Sequence, residues 1–157
     1  MFESPRLWLI GFYSGARLAE IAGLRREDVR EVDGVLCFEV RPHEGRRLKN
    51  KASRRTVPLH PEIIAAGFTA NVLPFKSDAH YYSKRVNPWL REVAKITDPR
   101  LSFHSVRHAV KDRLRAARVP EPISRALMGH GSTGVADSYG LGCPMSVLAE
   151  EMAKVRY

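Results

Sequence analysis

Residues 103–140 read FHSVRHAVKDRLRAARVPEPISRALMGHGSTGVADSYG, and the punctuation of this stretch predicts consecutive helices joined by short turns. Ser102 can cap a helix that starts near Phe103 or His104. Val119-Pro120-Glu121-Pro122 opens a second helix that runs to Leu127-Met128, and Gly129 closes it as a C-cap. Ser132 or Thr133 can cap a short third helix over 134–138, with Tyr139 at its end. His104 and Arg107 stand one helical turn apart and share a face. His104 sits in the first turn of the helix, where free backbone N–H groups and the positive dipole end favour a phosphate, and Arg107 lies one turn along. His130 follows Gly129, and Tyr139 comes nine residues later. The stretch thus offers a general acid or base, a phosphate clamp, a second imidazole and a phenol.

Each of these residues has a plainer reading by itself. His130 can be a helix-capping imidazole and Tyr139 an amphipathic surface ring. His104 and His108, at i and i+4, match the spacing of two zinc ligands on one helix face. Ser105 stands where a metalloprotease carries its glutamate, and Arg107 repels a divalent cation, so no metal is expected. His108 is then expected to pack or hydrogen-bond inside the domain.

Toward the N-terminus, Ser4 and Pro5 suit an N-cap and first helical position. Leu7, Ile10, Phe12, Leu18, Ile21 and Leu24 recur at roughly helical intervals, with a break expected near Ser14-Gly15. Arg17 lies at a helix start, with Glu20 one turn on to hold it. A guanidinium there can meet two phosphate oxygens in a planar fork and stays charged at any working pH. Taken alone, the pair is an ordinary surface ion pair worth roughly a few tenths of a kcal/mol.

Val35–Val40 (VLCFEV) reads as a strand after an Asp33-Gly34 turn, and Arg55–Leu59 as another. Between them Arg46, Arg47, Lys49, Lys51, Arg54 and Arg55 place six cations in ten residues. Such density suits DNA backbone contact through counterion release. His60-Pro61-Glu62 begins another helix. Asp78 can cap one over 79–95, which Pro88 should kink or divide. This region, with Tyr81 and Tyr82, is assigned to packing. After Tyr139, Pro144 opens a last amphipathic helix that either docks on a neighbouring protomer or covers its own core.

The ordered boxes resemble the catalytic half of the tyrosine recombinases, also called phage integrases. GFYSGARLAEIAGLRREDV resembles that family's first arginine box, through Gly15, Arg17, Glu20 and Gly23-Leu24, with Ala16 where leucine is commoner. RPHEGRRLKNKASRRTVPL resembles its β-hairpin with a lysine on the turn. HSVR and LMGH match the next boxes, and Tyr139 stands at the family's tyrosine position. The resemblance runs from about Leu7 to the end. It implies a mainly α fold with a small antiparallel β-hairpin or sheet (α+β), forming one catalytic domain over 1–157.

By this resemblance the catalytic set is Arg17, Lys49, His104, Arg107, His130 and Tyr139, with Glu20 in support. Lys51 competes with Lys49, because the turn register is open. Arg46, Arg47, Lys51, Arg54 and Arg55 would contact DNA. Arg17, Arg107 and His130 would stabilise charge on a pentavalent phosphorus. Tyr139, a phenol of ordinary pKa about 10, would attack as His104 takes its proton, and Lys49 would protonate the leaving 5′-oxygen. The resemblance implies site-specific DNA recombination through a 3′-phosphotyrosyl intermediate, with no metal or cofactor. A non-catalytic DNA-binding remnant and a type IB topoisomerase-like enzyme are the competing readings.

The wider composition agrees. There are 26 Lys and Arg against 17 Asp and Glu, a formal net charge of +9, and the pI is near 10.0. A polyanion is the expected partner, double-stranded DNA first. Cys37 and Cys143 form no paired motif, and no apolar run nears the roughly 20 residues a bilayer span needs. A cytoplasmic, nucleoid-associated protein is expected. The family's N-terminal DNA-binding domain has no counterpart in 157 residues. We therefore expect an excised fragment or truncated gene product: a monomer alone, part of a tetramer on DNA at full length, weak in binding and slow in cleavage.

Overall fold

A computed structural model describes residues 4–44, 46–48, 53–75, 78–92, 95–130 and 143–156. The expected mainly helical fold with a small antiparallel sheet is present. The order is α1 (Ser4–Ser14), α2 (Leu18–Ala22), β1 (Val29–Val32), β2 (Val35–Val40), β3 (Arg55–Pro58), α3 (Pro61–Ala65), α4 (Ala79–Glu92), α5 (Phe103–Ala116), α6 (Glu121–Met128) and α7 (Met145–Met152).

The three strands lie in the order β1-β2-β3, both pairs antiparallel. β1 is the strand our sequence reading passed over, because Val-Arg-Glu-Val is short and half charged. Asp33 (φ 51) and Gly34 (φ 76) are both left-handed, the backbone that a two-residue hairpin turn requires. The turn sets Val32 opposite Val35. β3 then pairs along β2, with Val40 opposite Arg55 and Cys37 opposite Pro58.

α1 stops at Ser14 as its glycine predicts. Gly15 has φ +63, and a Cβ there would lie 2.8 Å from Met128 Sδ. Earlier in the helix, Gly11 lets the Phe103 ring approach, since a Cβ would meet its Cζ at 2.5 Å. Trp8 joins α1 to both long helices, with ring centres 5.2 Å from Trp89 and 5.3 Å from Phe103. Leu7, Ile10, Phe38, Val57, Tyr82, Val86, Val110, Leu114 and Leu127 complete a shared core. Tyr82 belongs to that core and Tyr81 to the surface.

Of the kink or division expected at Pro88, the division is not seen. The helix is assigned continuously through it. Pro88 and Lys84 are both exposed, so water can meet the Lys84 carbonyl that loses its partner.

α7 packs on β2, β3 and α6 of its own chain, burying Leu148 and Met152, with Val155 just beyond. Of the two roles considered for this helix, the structure displays the covering one. His60 fastens the far end. Its Nδ1 accepts from the Glu62 backbone N–H at 3.1 Å, and its Nε2 donates to the Val155 carbonyl at 3.0 Å. The Nδ1 bond requires the neutral ring. Burial holds its pKa below the ordinary histidine value, against the Val155 hydrogen bond, which raises it.

A base with a lowered folded pKa stabilises the fold above its unfolded pKa, about 6.5, and loses that contribution as pH falls through the window beneath. Urea unfolding from pH 8 to 5 should show stability declining below about 6.5, with His60 contributing at most about 1.4 kcal/mol per pH unit. His60→Asn, whose oxygen can still cap α3, should flatten the decline. An unchanged slope would remove His60 from the account.

Candidate active site

Four segments meet where α1 ends: the α1–α2 turn, the start of β3, α5 and the end of α6. Their centre is Glu20, a carboxylate only 4% exposed. Glu20 is the third residue of α2, so its side chain can reach back to the helix start. Its Oε2 accepts from the Arg17 backbone N–H at 2.9 Å, and its Oε1 from Arg17 Nη1 at 2.8 Å. Oε2 also accepts from Arg55 Nη2 at 2.9 Å. Burial alone would raise the Glu20 pKa. The Arg55 charge and the bonds from Arg55 and Arg17 outweigh it and hold the carboxyl below its ordinary value.

Arg55 is interior, which the sequence reading did not anticipate. Its side chain is 6% exposed, Nε donates to the Leu127 carbonyl at 2.9 Å, and Nη1 to the Ser53 carbonyl at 2.9 Å. One guanidinium thus joins β3, α2 and the end of α6. It also dictates the residue at 129, where φ is +64 and a Cβ would lie 2.7 Å from Arg55 Nη1. Ser53, fully buried, accepts a longer bond of 3.3 Å from Arg17 Nη1. Nothing in the sequence singled out Ser53.

Arg107 occupies the buried stripe of α5 with Phe103, Val110 and Leu114. Its Nη1 donates to the Gly15 carbonyl at 2.7 Å and its Nη2 to the Met128 carbonyl. Burial, then the Arg17 and Arg55 charges, lower its pKa to about 10. It therefore remains charged at neutral pH. A guanidinium carries five N–H donors, so a fork held by two carbonyls retains donors for an anion.

His130 follows the left-handed Gly129 cap, its backbone N–H bonded to the Arg125 carbonyl at 3.1 Å. Its pKa falls to about 4, through burial first and then the charges of Arg107, Lys111, Arg17 and Arg55. At neutral pH the imidazole is uncharged, a hydrogen-bonding group among cations. Arg17, Arg107 and His130, far apart in sequence, are thus brought into one positive site. An oxyanion placed there would be stabilised by donors already in position.

The expected outer cations divide in two. Arg47 and Arg54 are exposed. Arg46 is not, which corrects its assignment as a DNA contact. It is 6% exposed. It donates to the Arg41 and Glu20 carbonyls and lies 3.6 Å from buried Asp28. Gly23 leaves room for its stem, since a Cβ there would lie 2.5 Å from Arg46 Cδ. Arg55 is corrected likewise: its guanidinium braces the site from within. The burial of Arg55 follows from strand register, which places it opposite buried Val40; Arg46 lies outside the three strands, in an isolated bridge to His43.

His104 is exposed on α5. His108 is exposed too, not packed inside as expected, because the buried stripe passes through 103, 107, 110 and 114. Among the described residues no group of three or more metal-ligating side chains gathers, and no helix is long and apolar enough to cross a membrane. Lys49, Lys51 and Tyr139, and the helix expected over 134–138, lie outside the described residues.

No family model and no curated protein matches the chain. A solved structure, the integrase from mycobacterium phage Brujita, is similar over 98% of this chain, with a TM-score of 0.68 and 17% identity. At that identity the shared property is the fold, so this chain has a phage-integrase fold. It spans about half of that structure, covering 52% of its length.

Proposed function

We propose that this chain is the catalytic part of a site-specific tyrosine recombinase, which breaks and rejoins DNA through a 3′-phosphotyrosyl intermediate. The convergence of Arg17, Arg107 and His130 around a carboxylate-braced positive site carries the reading. The integrase fold supports it.

In the proposed reaction the Tyr139 oxygen attacks a scissile phosphorus. A P–O bond to tyrosine forms as the bond to the 5′-oxygen breaks. His104 accepts the phenolic proton, and Lys49 or its neighbour Lys51 gives one to the departing oxygen. Arg17 and Arg107 stabilise the charge on the pentavalent phosphorus, and neutral His130 donates a hydrogen bond to it. Attack by another 5′-hydroxyl reverses the steps and seals a strand, with neither metal nor ATP required. Arg47 and Arg54 extend the positive surface along duplex DNA. A full-length protein would act as a tetramer on its site.

A suicide duplex, nicked so that the short leaving strand diffuses away, tests this in EDTA. A pool of random duplexes replaces the unknown site. Wild type should give a DNA-shifted protein band on a denaturing gel, and Tyr139→Phe none. DNA retention at low salt without any covalent band would reject the enzyme in favour of a binding remnant.

A further inference from the structure

α5 presents two imidazoles on its outer side. His104 and His108 are both exposed, with ring centres 5.1 Å apart and planes crossed at 85°. Two imidazoles that each set a nitrogen about 2.1 Å from one cation, at a roughly tetrahedral angle, hold their ring centres about 5 Å apart. The helix therefore supplies the spacing of a two-histidine chelate before any ion arrives.

The neighbouring charges do not forbid a cation. Arg107 lies between the two histidines in sequence and keeps its charge, but its guanidinium is buried against the Gly15 and Met128 carbonyls, while both imidazoles are exposed to screening water. Lys111 is paired with Glu121 at 3.3 Å. Asp112, one turn beyond His108, brings a carboxylate to the same helix and pairs with Arg115 at 3.3 Å. Neutral imidazole suits zinc, copper and nickel, whereas magnesium and calcium prefer oxygen.

We propose that His104 and His108 together bind a divalent transition cation such as zinc, with water completing its coordination, and that the bound ion shuts off strand cleavage. Inhibition follows because a metal-bound His104 nitrogen can no longer accept a proton. That second half rests on the proposed role of His104. The ion is an inhibitor of the reaction and takes no part in it.

Calorimetric titration of the full chain with zinc chloride, without DNA, tests the site. Wild type should take up one zinc with an affinity at least about tenfold above that of His108→Ala or His108→Gln. Equal affinities would overturn the site. Circular dichroism checks that both variants fold.

Suicide-duplex cleavage with zinc and then excess EDTA tests the consequence. Wild type should be inhibited and recover in EDTA, while the His108 variants cleave in both conditions. Inhibition persisting undiminished in those variants would overturn the regulatory role. Should wild type not cleave even in EDTA, the recombinase reading and the inhibitory role fall together, and the titration alone decides the site.

Discussion

Replacing Arg107 with alanine should slow strand cleavage by about a hundred- to a thousandfold, the usual cost of removing a positioned donor to a developing oxyanion. The side chain has two tasks, and the change removes both. It holds the Gly15 and Met128 carbonyls together, and in the proposed reaction it presents its remaining donors to the phosphate. Lysine should rescue little, because one ammonium cannot reproduce a planar fork between two carbonyls. The loss is best measured in a single turnover, with enzyme in excess over a suicide duplex. Urea unfolding should run in parallel, because each buried carbonyl left without a donor costs about 1–3 kcal/mol. A variant that remains folded and cleaves at the wild-type rate would remove Arg107 from the chemistry.

Glu20→Ala should have the largest effect on stability, about 3–5 kcal/mol, the range for breaking a buried ion pair from one side. The carboxylate stands between Arg17 and Arg55. Without it, two guanidiniums repel each other, one of them only 6% exposed. Arg55→Met in the Glu20→Ala background should recover part of the loss, since it removes the orphaned charge. A double-mutant cycle by urea unfolding measures that coupling. Additive losses would show that the pair does not act as a unit. The depressed Glu20 pKa sets the pH dependence: its contribution is complete above the ordinary carboxylate pKa and disappears as pH falls through the lower folded value.

Much of this molecule was legible because its signals are local. The Asp33-Gly34 turn, the Ser102 cap, the glycine that stops α1 and the left-handed Gly129 each act within a few residues. The pairing of Arg17 with Glu20 was legible for the same reason. What escaped depends on partners distant in the chain. Arg46, Arg47, Arg54 and Arg55 look alike in sequence, yet strand register turns Arg55 inward, the Glu20 carbonyl and Asp28 hold Arg46, and Arg47 and Arg54 are exposed. His108 was misassigned because the buried stripe of α5 passes through Arg107, one residue before it. The neutral state of His130 arises from burial first and then from cations on three other segments, and has no signature of its own. Pro88 sits within a helix at an exposed position, where water can meet the Lys84 carbonyl that loses its partner, a fact of burial and not of spelling.

Arg46 and Arg55 also fix what an engineer is free to exchange. Each is bolted to the body of the protein, the first at the Arg41 and Glu20 carbonyls, the second at Glu20 itself and the Leu127 carbonyl. The segment between these two anchor points is a cassette. Closing a longer loop on fixed ends costs little more than closing a short one. Segments of different length that keep Ser53 and a lysine for the proposed reaction can therefore be grafted there while the carboxylate and its arginines keep their places. The length of this connection and the bracing of the carboxylate become separately adjustable parts of one small domain.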